Sequence, residues 1–253
     1  MSIAEANGQT IRILHLYHDL MNLYGDWANP AALAGELLTR GLETVVEKKS
    51  VGDDIDLGLY DFLYIGSGTE RSQRACMRDM ARFASKLIER IESGLHVLAT
   101  GNAHELFGRA VTTADGQRFE ALGIMDFETV QTDARLTGDS VCRASFLDEK
   151  LIGFINRAGG YQEGQVKRPF IPELGPDAEG GPSSEGVYYK NVLGTYMTGP
   201  ILVRNPPLLK YFAHLLCPDY EVKPEAEDLF FDFQEKAYAS ALAELLGGIK
   251  NKK

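Results

Sequence analysis

The chain has 253 residues, of which 44% are hydrophobic and 25% charged, with a formal net charge of −10. Such a length and apolar content can bury a large core. The acidic balance excludes a surface built mainly for nucleic acid or an anionic membrane, since both require clustered Lys and Arg.

In chain order, Ile11 to Tyr17 reads as an apolar strand, and Ala28 to Arg40 as a helix that Gly41 stops. Strands are expected over Glu43 to Glu47 and Tyr60 to Ile65, the second ending in Gly66-Ser67-Gly68. One long amphipathic helix is predicted over Arg71 to Ser93. Leu95 to Ala99 is a buried strand that turns abruptly at Thr100-Gly101-Asn102-Ala103 into the first turns of a helix. This alternation predicts a mostly parallel sheet covered by helices on both faces, with sites at the carboxyl ends of its strands. From Leu122 the pattern turns strand-rich: Gly123 to Val130, Ser140 to Phe146, Leu151 to Asn156, Gly186 to Tyr189 and Val192 to Met197. Glu173 to Gly186 reads as an exposed loop. A helix follows Pro206-Pro207 through Leu216, and a last one runs from Pro224 to about Leu246, its aromatics packed on the core or open to a partner. The expected organisation is a tail at 1–10, one domain over 11–217, a helical extension over 218–246 and a tail at 247–253.

No apolar run approaches the roughly 20 residues that span a bilayer, and the first ten residues lack a signal-peptide core. A cytoplasmic protein without membrane insertion is therefore expected. Cys76, Cys142 and Cys217 form no C-x-x-C pair, and no metal-ligand spacing links His15 and His18 to a carboxylate pair, so neither a metal nor a cofactor is expected.

Strand, tight turn and helix around Gly101 make the frame of a nucleophile elbow, which lifts one side chain above the sheet and aims backbone N–H groups at a developing oxyanion. Four collinear segments extend the likeness: Leu16 to Asp26, Tyr64 to Gln73, Leu98 to Gly108 and Glu185 to Pro200. Together they resemble the class I glutamine amidotransferases of the CobB/CobQ type, and within them most nearly the GatD type, the glutaminase subunits of lipid II isoglutaminyl synthases. The resemblance implies a flavodoxin-like three-layer sandwich. It implies a cysteine that attacks glutamine and a histidine that activates it. The released ammonia would pass to MurT, a Mur-ligase-like partner that amidates the peptidoglycan precursor.

Carried over residue by residue, the family cysteine falls on Gly101 and the family histidine on Thr198. Gly66, Ser67 and Gly68 fall on the oxyanion loop, with Asn102 supplying the second N–H. Arg135 falls where the family has an arginine at the glutamine entrance. The amino-terminal signature departs from the family at His18, Trp27 and Ala28. As stand-ins, Thr100 is expected to face a packed layer and His104 to fill a core or capping role. Removing a nucleophile or its base typically costs about a million-fold in turnover. Glutaminase activity is therefore expected to be absent, and the chain to serve as a non-catalytic partner or scaffold subunit. Two alternatives stay open. One is an active glutaminase with a relocated dyad, which Gly101→Cys with Thr198→His would imitate. The other is a binding module for glutamine or a related small molecule, in a pocket enlarged by loss of the two side chains.

Overall fold

The computed structural model describes residues 10–162, 164–178, 185–218 and 229–250. Of the expected tails at 1–10 and 247–253, residues 1–9 and 251–253 lie outside the described residues, as do the central part of the loop at 173–186 and the start of the last helix at Pro224, while Thr10 opens the first strand and 247–250 continue the last helix.

The first half builds one sheet and its helical cover: β1 (Thr10–Leu16), α1 (Ala28–Thr39), β2 (Glu43–Lys49), β3 (Phe62–Ile65), α2 (Glu70–Met80), α3 (Ala84–Glu92) and β4 (His96–Thr100). A 3-10 helix, Gly101–Phe107, follows β4 directly. The second half adds β5 (Ala110–Thr112), β6 (Arg118–Glu120), β7 (Glu128–Ala144), β8 (Lys150–Gln162), β9 (Phe170–Leu174), β10 (Val187–Tyr189), β11 (Val192–Thr195), β12 (Met197–Thr198), α4 (Ile201–Arg204), α5 (Pro206–Leu216) and α6 (Leu229–Lys250).

The first sheet runs β10-β11-β4-β3-β1-β2, parallel throughout except for β10 on β11. All four residues of β3 are buried, as parallel strands covered on both faces require. One apolar core lies under α1, α4 and α5, with Leu33, Leu37, Leu202 and Phe212. The other lies under α2 and α3, with Cys76, Met80, Leu87 and Ile91. The three-layer arrangement is the one the alternation predicts. The second sheet runs β12-β8-β7-β5-β6, with β9 on β7, and its residues line a cleft together with those that follow β3 and β4 in the first. The β4 apex and the loop after β3 lie side by side between them.

Several elements differ from expectation. The long helix over 71–93 is two helices. Arg82 and Phe83 donate to the Asp79 and Met80 carbonyls and close a turn. The Asp79 carboxylate ties that turn to Tyr17, Gly52 and Arg82, and Phe83 packs on the core. The two strands expected over 123–130 and 140–146 are parts of one, β7, whose register on β8 shifts between Gln131 and Leu136. Residues 132–135 bulge there opposite Ala158 alone, and such a bulge re-aims its side chains. The β5–β6 hairpin turns at Asp115-Gly116, a two-residue turn signal that the sequence carries. α6 is fastened by Gln234 Nε2 on the Leu202 and Val203 carbonyls and by Tyr238 on the Lys150 carbonyl. Phe233 on this helix is exposed.

Candidate functional site

Gly101 sits at the apex with φ +57°, in the left-handed region where a side chain costs about 1–2 kcal/mol. A Cβ built on it would lie 2.1 Å from Ser67 Oγ and 2.7 Å from Ser67 Cβ. Ser67 therefore fills the space above the apex, and the cleft is not enlarged by loss of the cysteine. About 20 Å³ of free volume remains, lined by Ser67, Asn102, Glu105, Arg157, Tyr196 and Thr198 among others. That is room for one water.

The oxyanion loop is folded onto its neighbours. Gly68 is glycine because a Cβ there would crowd the Leu20 backbone carbonyl at 2.9 Å as well as the Met21 side chain. Its N–H, the donor expected to face an oxyanion, is given to Asn102 Oδ1 at 3.0 Å. The Asn102 carbonyl in turn accepts from Gln73 Nε2 at 2.8 Å. An oxyanion hole requires donors pointing at the reacting atom rather than satisfied within the chain.

Thr198, on β12 beside β8, is buried and donates to the Phe154 carbonyl at 2.9 Å. It lines the same cleft as Gly101, so the structure brings the two positions together, and neither carries a base or a nucleophile. Thr100 faces inward as expected. Its hydroxyl meets Tyr64 at 2.8 Å and Asp26 at 3.2 Å, in a buried network closed by Asn29. His104 is fully buried. Its Nδ1 faces the Gly101 carbonyl at 2.7 Å and its Nε2 the Tyr161 hydroxyl at 2.8 Å. A carbonyl only accepts, so Nδ1 carries the proton and Nε2 accepts from Tyr161. Burial pushes this imidazole down to about 3, so it is neutral and committed at both nitrogens. Cys76 and Cys142 are buried, and burial raises both thiols.

The bulge in β7 places Arg135 at the mouth of the cleft. Its Nε donates to Asn156 Oδ1 at 2.8 Å and its Nη1 meets Glu70 Oε1 at 3.0 Å. Asn156 Nδ2 donates to the Tyr24 hydroxyl at 2.8 Å, which completes the closure. Of the residues at this mouth and behind the apex, the sequence resemblance assigns a role to Arg135 and none to Glu70, Tyr24, Glu105 or Tyr196. The signal available for Tyr24 and Glu70 was their place inside the first and second resemblance segments.

Behind the apex, Tyr196 links the layers. Its hydroxyl donates to Glu105 Oε1 at 2.8 Å, and its ring packs edge-on to His104 at 4.3 Å. The Tyr196 N–H and the Thr195 hydroxyl both donate to Glu185. Burial pushes the Glu185 carboxyl up to about 7, partly offset by these two donors. Its folded value lies above its unfolded one, so the stability it contributes is present below about pH 4.5 and is lost as pH rises to about 7. Glu185→Gln imitates the protonated acid. Urea denaturation from pH 4.5 to 8 should show the variant gaining up to about 3 kcal/mol on the parent at pH 8, and no gain at pH 4.5.

Residues 12–206 match the CobB/CobQ-like glutamine amidotransferase domain. This chain belongs to that family. It is 31% identical over 208 residues to the GatD subunit of the glutamine-hydrolysing lipid II isoglutaminyl synthase of Staphylococcus aureus (strain N315), covering 82% of this chain and 84% of the relative. Its identity to the GatD subunit of Streptococcus pneumoniae (strain ATCC BAA-255 / R6) is 32% over 248 residues, covering 96% and 92%. The fold is also that of solved glutamine amidotransferases. One superposes with a TM-score of 0.56 at 16% identity, over 80% of this chain and 98% of its own. Another, from Thermotoga maritima, superposes at 0.51 and 12%, over 93% and 94%. Within this amidotransferase frame, the position after β4 that the elbow presents to the cleft is occupied by glycine, and the space above it by Ser67. No helix among the described residues is long and apolar enough to cross a membrane.

Proposed function

We propose that this chain is a GatD-type amidotransferase subunit that does not hydrolyse glutamine and instead serves, in the cytoplasm, as the binding partner of a Mur-ligase-like synthetase in lipid II amidation. The observation that carries the reading is the Gly101–Ser67 contact. The apex has no side chain, and Ser67 fills the space one would need. Thr198 at the base position and the Gly68 N–H given to Asn102 support the same conclusion. Without nucleophile and base, a residual oxyanion site contributes only about 10³–10⁴ over water, and here its loop donor is already satisfied. The identity to two GatD subunits over most of the chain supports the partner and pathway.

Two measurements test the reading together. Affinity purification of the tagged chain from its own host should recover a Mur-ligase-like protein at equal stoichiometry. Glutamate release by the purified chain, alone and in that complex, should stay at the level of a no-protein control. Sustained release in either sample refutes the loss of activity, and recovery of no synthetase refutes the partner role.

A further inference from the structure

β2 ends the first sheet, and among the described residues no strand pairs with its outer side. Its ladder on β1 runs unbroken from Glu43 to Lys49, with neither a bulge nor a proline. Sheet edges are ordinarily blunted by such devices or kept short. The strands that end the two sheets elsewhere, β10, β6 and β12, have three, three and two residues, whereas β2 has seven.

The Lys49 carbonyl accepts from the Tyr17 N–H at 2.7 Å, so Lys49 turns its backbone groups toward β1. Alternation gives Glu43, Val45 and Glu47 the same orientation and turns the N–H and C=O of Thr44, Val46 and Lys48 outward. A second copy of β2 laid antiparallel, with Val46 opposite itself and Thr44 opposite Lys48, pairs every outward group. That register also sets Glu43 opposite Lys49 at both ends, in the positions where side chains approach most closely. A slip of two residues leaves outward groups unpaired and sets Glu43 against Glu47, or Glu47 against its own copy. A slip of one residue aligns outward groups with groups already bonded to β1.

The flank of α1 above this edge is apolar. Val46 packs on the core beneath α1. Asn29 points inward, its side chain bonded to the Tyr64 hydroxyl on β3 and to the Leu202 N–H on α4. At about 100° per residue, Leu38 lies on the opposite side of α1, toward the free edge. Leu38 is 58% exposed. Ala31 and Gly35 share its flank, and a Cβ on Gly35 would meet nothing within 4 Å.

We propose that this chain pairs with a second copy of itself through β2 and the Ala31–Gly35–Leu38 flank of α1. The two sheets become one about a two-fold axis at Val46, an interface in which the same patch serves both copies. The charges on the strand choose the occupant, since they complement their own copy in the one register that satisfies the backbone. Across the axis α1 lies antiparallel to its copy, with Leu38 facing the copy's Ala31 and Gly35 allowing close approach. This goes beyond the partner role and does not depend on it, since the cleft forms beside β3 and β4 and not at β2.

Sedimentation equilibrium of the full chain from about 1 to 200 µM should show monomer and dimer with a dissociation constant on the order of 10 µM, as a small interface gives. Gly35→Arg places its side chain in open space and replaces a poor helix former, so it should melt no lower than the parent. It should nevertheless weaken the dimer more than tenfold. Lys48→Pro removes an outward N–H, which an edge strand tolerates, and should act alike. Glu43→Lys should weaken the dimer about tenfold, and adding Lys49→Glu should restore it. Circular dichroism melting of each variant distinguishes loss of pairing from loss of fold. A parent that stays monomeric over the whole range, or a dimer that neither Gly35→Arg nor Lys48→Pro weakens, overturns the proposal. A charge swap that fails to restore the dimer overturns the register.

Discussion

Installing a cysteine at the apex by Gly101→Cys will lower folding stability by about 3 kcal/mol, as urea denaturation will show, and will not restore glutamine hydrolysis. Two costs add. A side chain in the left-handed region costs about 1–2 kcal/mol, and overpacking a closed site typically costs another 1–3 kcal/mol. The clash is specific, because the new Cβ would lie 2.1 Å from Ser67 Oγ and 2.7 Å from Ser67 Cβ. Rotating the hydroxyl away leaves the second contact in place. Ser67→Gly in the same chain should therefore recover about 2 kcal/mol, while in the parent it should change stability little. The resulting coupling in a double-mutant cycle is the signature of direct contact. If Gly101→Cys costs the same with and without Ser67, the steric account is wrong.

The same geometry revises what restoration of activity requires. From sequence alone, Gly101→Cys with Thr198→His would imitate a complete dyad. In the structure the pair does not suffice, because Ser67 holds the nucleophile's space. The triple variant that also carries Ser67→Gly is the one expected to release glutamate measurably. A double variant as active as the triple would show that Ser67 moves aside at little cost.

Gly101 and Thr198 line one cleft, and the strand order and the tight turn after β4 that set them there are local properties that residue type and spacing encode. The inward face of Thr100 and the core role of His104 were legible for the same reason. Ser67 was not. Three adjacent positions, Gly66-Ser67-Gly68, read as a loop that offers donors. Only the packing of the 17–26 segment and β4 against it shows that the serine points at the apex and that the Gly68 N–H is given to Asn102. The break between α2 and α3 was hidden likewise, since Asp79 draws its partners from Tyr17 and Gly52, far away in sequence. The four-residue bulge in β7 merged two expected strands. It also set Arg135 against Glu70, a contact between residues 65 positions apart.

His104→Ala should be the most damaging single truncation around the cleft, at about 4 kcal/mol by denaturation at pH 7. The imidazole is fully buried and packs edge-on against Tyr196 at 4.3 Å and beside Tyr161 at 5.5 Å. Its removal opens a cavity in a packed layer. It also leaves the Gly101 carbonyl and the Tyr161 hydroxyl without their partner. His104→Phe keeps a buried ring there, slightly larger than the imidazole, and loses the hydrogen bonds, so it should cost less than the alanine. The two variants should differ in acid as well. In the parent, burial holds the imidazole at about 3, below its ordinary 6.5. The stability that depends on its neutral form is fully present above pH 6.5 and is lost as pH falls toward 3. Protonation of the unfolded chain should take about 2 kcal/mol by pH 5. Buried His15, held down at about 4, adds to this loss, and Glu185 acts in the opposite sense between pH 4.5 and 7, so the parent profile sums several slopes. His104→Phe removes one of them. Its stability relative to the parent should therefore improve steadily from pH 7 to pH 5, and a constant difference over that range would show that His104 is not held neutral by the fold.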